Sequence, residues 1–475
     1  MSRVLSEVGQ TAVKWLLPGM RPLFRMTLRD KIFNLPLVLV RTLVESGVYG
    51  IAAGLSGIAF EISVYRFYSG TLVRFAHWSS FHFVIASFLL VTGTSLASGI
   101  IVAKFAPETA GSGIPQLKLA FWKDSGFIHW RVIWVKFVAG VLTVGGGASL
   151  GREGPSIQLS GAVASNLSVV FGTPTCDRRR AMAAGAAAGL AATFNAPLAA
   201  IAFVLEKILI DCRSNLLGGV VMAALVGALV FHVCVGQQTS FVLPVTAPST
   251  WNGQFMVPFA ALLATLAGVL FQSAALGLRK LFQRSPLHQV PLWARPALGA
   301  FFTWTIGASV FLIYGRLGIF SLGYDDINSG LQGDVIGVLP LVLLLGKLPA
   351  SICSFGSGGC GGVFAPGLFL GGMTGCALVE LSRAMGLPLT EGDRILLMLA
   401  GMSSCLGAIM RAPLTSILLV LEMTREYSLF FALLIPTLLS QGLSRWLLPH
   451  GVYEQILVDD GHFPYEAVER KETRP

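Results

Sequence analysis

Charge is what this sequence has least of. Only 12% of its 475 residues are Asp, Glu, Lys or Arg, against 54% that are hydrophobic, and a soluble domain carries roughly twice that charged share. So few ions cannot cover a chain of this size with a wettable surface, which excludes a cytosolic or secreted globule. Cysteine and histidine are scarce too, with seven of each. Cys176, Cys212, Cys234, Cys353, Cys360, Cys376 and Cys405 lie mostly in or beside apolar stretches without paired spacing. Neither a disulfide framework nor a metal site is expected, and they read as small buried hydrophobes. The first 33 residues lack a short apolar core followed by a small-residue cleavage site, so no secretory leader is expected. The basic excess, 34 against 24 acidic residues, is dispersed, and no extramembrane segment is long enough to hold a nucleic acid.

What the sequence does have is apolar length. Segments near 34–65, 82–103, 131–149, 182–210, 217–236, 256–278, 296–320, 335–354, 361–383, 394–423 and 428–447 stand out, and with ~20 residues needed per crossing they supply on the order of ten spans. The chain reads as an all-α polytopic protein of the lipid bilayer. Arg3, Lys14, Arg21, Arg25, Arg29 and Lys31 make residues 1–33 a cytoplasmic arm by the positive-inside rule, and Arg279, Lys280, Arg284 and Arg295 mark a second cytoplasmic loop. Asp459, Asp460, Glu466, Glu469 and Glu472 read as a solvated face. Arg41, Glu45, Glu61 and Arg66 in the first segment read as packing or interface residues.

The two halves resemble each other. Residues 184–206 align without gaps to 400–422 with eleven of 23 positions identical, including a shared Ala-Pro-Leu and Val-Leu-Glu. A second ungapped match sets 145–161 against 356–372, pairing Gly151 with Gly362, Glu153 with Phe364 and Pro155 with Pro366, and the same shift pairs Lys136 with Lys347. The expected organisation is an arm (1–33), a first membrane repeat (34–236), a connecting loop (237–255), a second repeat (256–457) and a cytoplasmic tail (458–475). Glycine and proline concentrate near 145–155 and 356–367. Paired Gly/Pro interruptions in corresponding halves point to broken helices meeting at a substrate site near the midplane.

At Gly151-Arg152-Glu153-Gly154-Pro155 the proline suits a first helical turn, and Gly361 to Pro366 repeats the arrangement. Two helix N-termini with free N–H groups then converge, an environment that favours a small anion and holds it weakly enough to release it. Gly111-Ser112-Gly113-Ile114-Pro115 adds a hydroxyl and a third set of amides. Any one of these elements alone reads equally as a kink or a tight packing contact. Glu153 is chemically loaded: a carboxylate at membrane depth must be paired, protonated or used. It either caps the helix beside Arg152 or occupies the anion site as a tethered competitor that leaves when protonated, gating anions and carrying protons with one side chain. Lys136 and Lys347 either raise the positive potential of the pathway or tie to carboxylates such as Glu206 and Glu422.

These three elements, in this order, resemble the signatures of the CLC family of chloride channels and proton-coupled chloride transporters, and the similarity runs from about residue 30 to Leu457. The resemblance implies an inverted-repeat homodimer with an anion pathway in each subunit. It implies that Ser112 and the Tyr453 hydroxyl flank a central chloride together with the amides of Val363 and Phe364. Glu153 becomes the outer gating glutamate, the amides of Arg152, Glu153 and Gly154 line the outer site, and Gly111 with Ser112 the inner one. Ser112 resembles the chloride-preferring pattern. One position departs from the exchangers: Lys207 stands where they place an inner proton glutamate, and Gln116 and Lys118 replace carboxylates common near the first signature. A buried lysine relays protons if its pKa is lowered; one that snorkels to the interface leaves a passive chloride channel. After Tyr453 only 22 residues remain, so no nucleotide-binding regulatory domain is expected, and a bacterial inner membrane is the implied location.

Other classes fit less well. A membrane-embedded enzyme using Ser112 or Glu153 lacks a histidine near either residue, so no enzymatic activity and no cofactor are expected. Gly356 to Gly361 fits G-x-G-x-x-G formally, without the strand that a nucleotide site needs. A cation or amino-acid symporter would want midplane carboxylates and carbonyl-rich unwound ends.

Overall fold

The computed structural model describes residues 38–209, 214–236, 239–244, 249–284 and 286–462; the arm expected over 1–33 and the tail beyond 462 lie outside them. Among the described residues no strand occurs, and nine helices are long and apolar enough to cross a membrane. The first half contains α1 (Val38–Tyr68), α2 (Ser80–Phe105), α3 (Ile114–Trp122), α4 (Arg131–Gly140), α5 (Glu153–Val170), α6 (Thr175–Phe194), α7 (Pro197–Phe203) and α8 (Ser214–Cys234). The second contains α9 (Trp251–Arg284), α10 (Arg295–Tyr314), α11 (Tyr324–Gln332), α12 (Leu339–Gly356), α13 (Phe364–Ala384), α14 (Glu391–Met410), α15 (Pro413–Thr424) and α16 (Phe430–Leu447), and α17 (Val452–Asp459) follows. Each of the first eight helices thus has its counterpart eight places on. The second half starts earlier than its hydropathy suggested, because α9 begins at Trp251 inside the stretch read as a connecting loop.

Two apolar stretches that read as single segments are broken. The segment 182–210 divides at Asn195 and 394–423 at Arg411, both left-handed residues (φ 53° and 56°) that end a helix, and a proline at 197 and 413 opens the next one. Hydropathy is blind to this, since two or three residues of non-helical backbone leave the window average unchanged. Helix α5, in turn, has too many Ser and Gly residues to register as an apolar segment, yet most of it is buried.

The packing is reciprocal. Glu206 accepts hydrogen bonds from the amides of Leu414 and Thr415 (3.0 and 2.9 Å) at the start of α15, and Glu422 accepts from those of Leu198 and Ala199 (3.0 and 2.7 Å) at the start of α7. Each half therefore caps the broken helix of the other, the pattern a two-fold relation produces. Carboxylate caps at helix N-termini satisfy donors that would otherwise be orphaned and complement the dipole. Losing one costs about 1–2 kcal/mol, so Glu206→Ala and Glu422→Ala should lower the thermal midpoint in detergent by similar amounts. A fall confined to one of the two would contradict equivalent roles.

Small residues let the inner helices approach. A methyl group on Gly185 would collide with Ser160, and one on Gly401 with the Gly371 backbone; these are corresponding positions of the α5–α6 and α13–α14 pairs. In a bilayer, where neither helices nor lipid tails are wet, such close van der Waals packing holds helices together.

Lys136 and Lys347 do not pair with Glu206 and Glu422. Both are fully buried. Lys136 Nζ donates to the carbonyls of Thr109 and Gly111 (2.9 and 2.7 Å), and Lys347 Nζ to those of Gly318, Ile319 and Ser321 (2.8, 3.3 and 2.7 Å). Each lysine gathers the loop that leads into a short helix, α3 or α11. Glu206 and Glu422 are already committed to helix caps. Nor are Asp459 and Asp460 merely solvated: Asp460 takes two bonds from Arg279 Nη2 (2.7 and 2.9 Å) and Asp459 lies 3.2 Å from Lys280 Nζ, fastening α17 to the end of α9.

Candidate functional site

The core of the fold is where the broken helices meet. Gly151 and Gly362 exchange backbone hydrogen bonds across the repeats (2.8 and 2.7 Å), which sets the N-termini of α5 and α13 side by side. Only backbone this bare permits it. A β-carbon on Gly362 would stand 2.9 Å from the Gly154 amide nitrogen. Gly154 in turn abuts Ser112, whose hydroxyl would lie 2.9 Å from a β-carbon there. The first turns of α5 and α13 and Ser112 thus come together. The Gly111 carbonyl accepts from Lys136 Nζ at 2.7 Å.

Gly113 (φ 85°) precedes α3 and Gly323 (φ 76°) precedes α11. Two residues earlier Gly111 and Ser321 also have positive φ, 69° and 47°. The same loop conformation therefore delivers both short helices, although only the first spells out the GSGIP motif. At Gly113 a side chain would also collide with Gln158, so glycine is required there on two grounds.

Glu153 is fully buried. Its Oε1 accepts a hydrogen bond from the Tyr324 hydroxyl at 2.9 Å, while Oε2 lies so near its own helix start that a side chain at Gly151 would strike it, with the backbone amides of Glu153 and Ala365 beside the carboxylate. Arg152 is not ion-paired with it. That guanidinium pairs with Glu61 at 2.7 Å and sits 6.0 Å from the centre of the Tyr324 ring. Tyr453 is buried with its hydroxyl beside Ser112. The Phe364 ring is clasped between Phe194 and Phe203, 6.2 and 5.7 Å centre to centre.

From Tyr453 the polar line continues to the next residue, Glu454. Its Oε1 is shared by Lys207 (3.1 Å) and Lys118 (3.2 Å). Lys207 is buried and locked into this ion pair, so it does not snorkel. The cluster lines a cavity of about 640 Å³ whose wall also carries Arg411, Arg445 and His450, a predominantly basic vestibule.

Tyr324, Glu61, Glu454 and Lys118 were not singled out as pathway groups from sequence. Tyr324 had one usable signal: it follows Gly323, the counterpart of Gly113. The other three are brought in only by packing.

Gly362→Ala tests the amide cradle. The added methyl crowds the Gly154 N–H, and forfeiting one charge-assisted hydrogen bond weakens a bound anion about tenfold or more. Chloride titration calorimetry should show that loss, and unchanged affinity would remove Gly154 from the site.

Two sequence-similar repeats of broken helices that cap one another and pool their amides at a buried carboxylate define a polytopic membrane protein of the inverted-repeat transporter class. Comparison with known proteins places it within that class. The profile of the voltage gated chloride channel family matches residues 94–445, and the chain belongs to that family. It is 31% identical over 444 residues to the H(+)/Cl(-) exchange transporter ClcA of Citrobacter koseri, covering 91% of this chain and 90% of that one, and equally to ClcA of Salmonella paratyphi B. Among solved structures, a slow cyanobacterial Cl-/H+ antiporter superposes with a TM-score of 0.75 at 24% identity, over 88% of this chain and 97% of the other. A CLC-type fluoride/proton antiporter superposes at 0.71 with 21% identity, over 88% and 98%.

Proposed function

We propose that the protein moves chloride across a bacterial inner membrane in exchange for protons. Carrying this reading is the buried carboxylate of Glu153, held where the N-termini of two helices converge, beside the backbone amides of its own turn and of Ala365. A carboxylate there stands in for the transported anion. Chloride enters as Glu153 leaves, and is held by the amides of residues 152–154, 363 and 364 with the hydroxyls of Ser112 and Tyr453. Protonation removes the charge that kept Glu153 in place, so one side chain couples the two ions. The relatives named as exchangers support proton coupling. We assign the basic vestibule with Lys118, Lys207 and Arg445 to the cytoplasmic side, with both chain ends, by the positive-inside rule. Organisation as a homodimer belongs to the same proposal and follows from family membership.

A second reading is a passive gated chloride channel. It is favoured by Lys207, which holds the inner position as one half of a fixed ion pair with Glu454 and leaves no unpaired carboxylic acid at that point. Reconstituted liposomes with simultaneous chloride and proton recording separate the two. Under an imposed chloride gradient, exchange drives protons uphill, whereas a silent proton trace with intact chloride flux establishes the channel.

A further inference from the structure

We propose that Tyr324 is a latch on Glu153: its hydroxyl, delivered by the second repeat, holds the carboxylate in the pathway, and release of that hydrogen bond is part of opening the outer gate. The inference rests on the reading of Glu153 as the gate and extends it to a residue outside the three signature motifs.

The latch is built from rigid parts. Tyr324 is the first residue of α11, and the loop before it is fixed from below by Lys347, through the carbonyls of Gly318 and Ser321. It is fixed from the side by Asp326, which accepts from the Gly318 amide (2.8 Å) and faces Arg316 Nη1 (3.3 Å). The ring packs edge-on against Phe241 at 5.2 Å. Phe241 is fully buried and its amide bonds to the Met423 carbonyl, while Asn328 of α11 bridges Ser240 and Val242 on either side. The hydroxyl has little freedom and ends 2.9 Å from Glu153 Oε1.

Besides the amides of its own turn and of Ala365, few side chains face Glu153. Glu61 on α1 carries like charge, and Arg152 is drawn to Glu61. Tyr453 approaches from α17 without bonding. Tyr324 thus makes the one side-chain hydrogen bond to Glu153 among the described residues. A phenol donating to an ionised carboxylate bonds more strongly than to a carboxylic acid, so the latch selects the ionised, pathway-blocking state and loosens when a proton arrives.

Tyr324→Phe keeps the ring and its packing and deletes only the hydroxyl. In chloride flux from proteoliposomes, we expect the variant to run about tenfold faster than the parent at pH 7.5, where Glu153 blocks. We also expect its half-maximal flux to move about one pH unit upward, the same tenfold read as proton affinity. Tyr324→His, which can place an N–H donor there, should move both quantities back toward the parent. In an E153Q background, Tyr324→Phe should change neither. A parent-like rate and pH profile for Tyr324→Phe would overturn the latch while leaving the gate intact, and so would an equal acceleration in the E153Q background, since that reveals a packing role. If E153Q itself keeps the parent's pH response, the gate reading falls and the latch with it. Should Tyr324→Phe not fold, Phe241→Leu, which loosens the seat of the ring, is held to the same criteria with a smaller shift in the same direction.

Discussion

Replacing Glu153 by Gln is expected to give chloride flux that no longer responds to pH, with proton transport abolished and chloride still bound. The amide matches the carboxylate in size, so packing at the start of α5 is retained. What disappears is the charge. An ionised Glu153 competes for the same amides as chloride, and each proton that arrives removes the competitor; a glutamine cannot gain or lose that charge. Removing an interaction with a charged group is worth about 1.5–3 kcal/mol, so the share of pathways open at neutral pH should rise by about tenfold or more. Flux assays from pH 4.5 to 8 on parent and variant check this. A variant that retained the parent's pH profile would falsify the assignment of Glu153 as the gate.

The second large effect concerns the two buried lysines. Lys136→Met removes the donor to two carbonyls, and Lys347→Met removes the donor to three. A buried carbonyl left without a donor costs about 1–3 kcal/mol, partly offset because an ammonium no longer has to be desolvated. Both variants should therefore lose on the order of 2–4 kcal/mol of stability, seen as a lower thermal midpoint in detergent and a poorer yield. The two should differ in function. Lys136 positions Gly111, beside Ser112, so its variant should also weaken chloride binding. Lys347 positions the loop before Tyr324 and carries no anion ligand, so its variant should bind chloride with an affinity closer to the parent's. Titration calorimetry beside thermal unfolding distinguishes them, and equal loss of affinity in both would mean that the loops do not act separately.

Much of the candidate site was legible because it is written in backbone chemistry. Gly151, Gly154, Pro155, Gly362 and Pro366 announce helix starts with exposed amides, and their recurrence in both halves announces that two such starts face each other. The features that escaped are made by side chains distant in sequence. Glu61 and Arg152 are 91 positions apart and Lys118 and Glu454 are 336, and nothing local marks either pair. The lysines illustrate the difference. Their equivalence was readable from the repeat, whereas their partners were not, because a lysine that organises carbonyls leaves no complementary side chain in the sequence to find.

By itself the sequence determined that this chain lives in a membrane, is duplicated, and breaks its helices at matching places, because hydropathy, internal identity and Gly/Pro spacing are local properties that survive without coordinates. Only the tertiary structure decided that Glu206 and Glu422 cap each other's repeat, that Tyr324 reaches Glu153, and that Lys207 is bound to Glu454. Those contacts depend on how two antiparallel halves are laid against one another, and a distance of 3 Å between residues hundreds of positions apart is a property of the packed molecule alone.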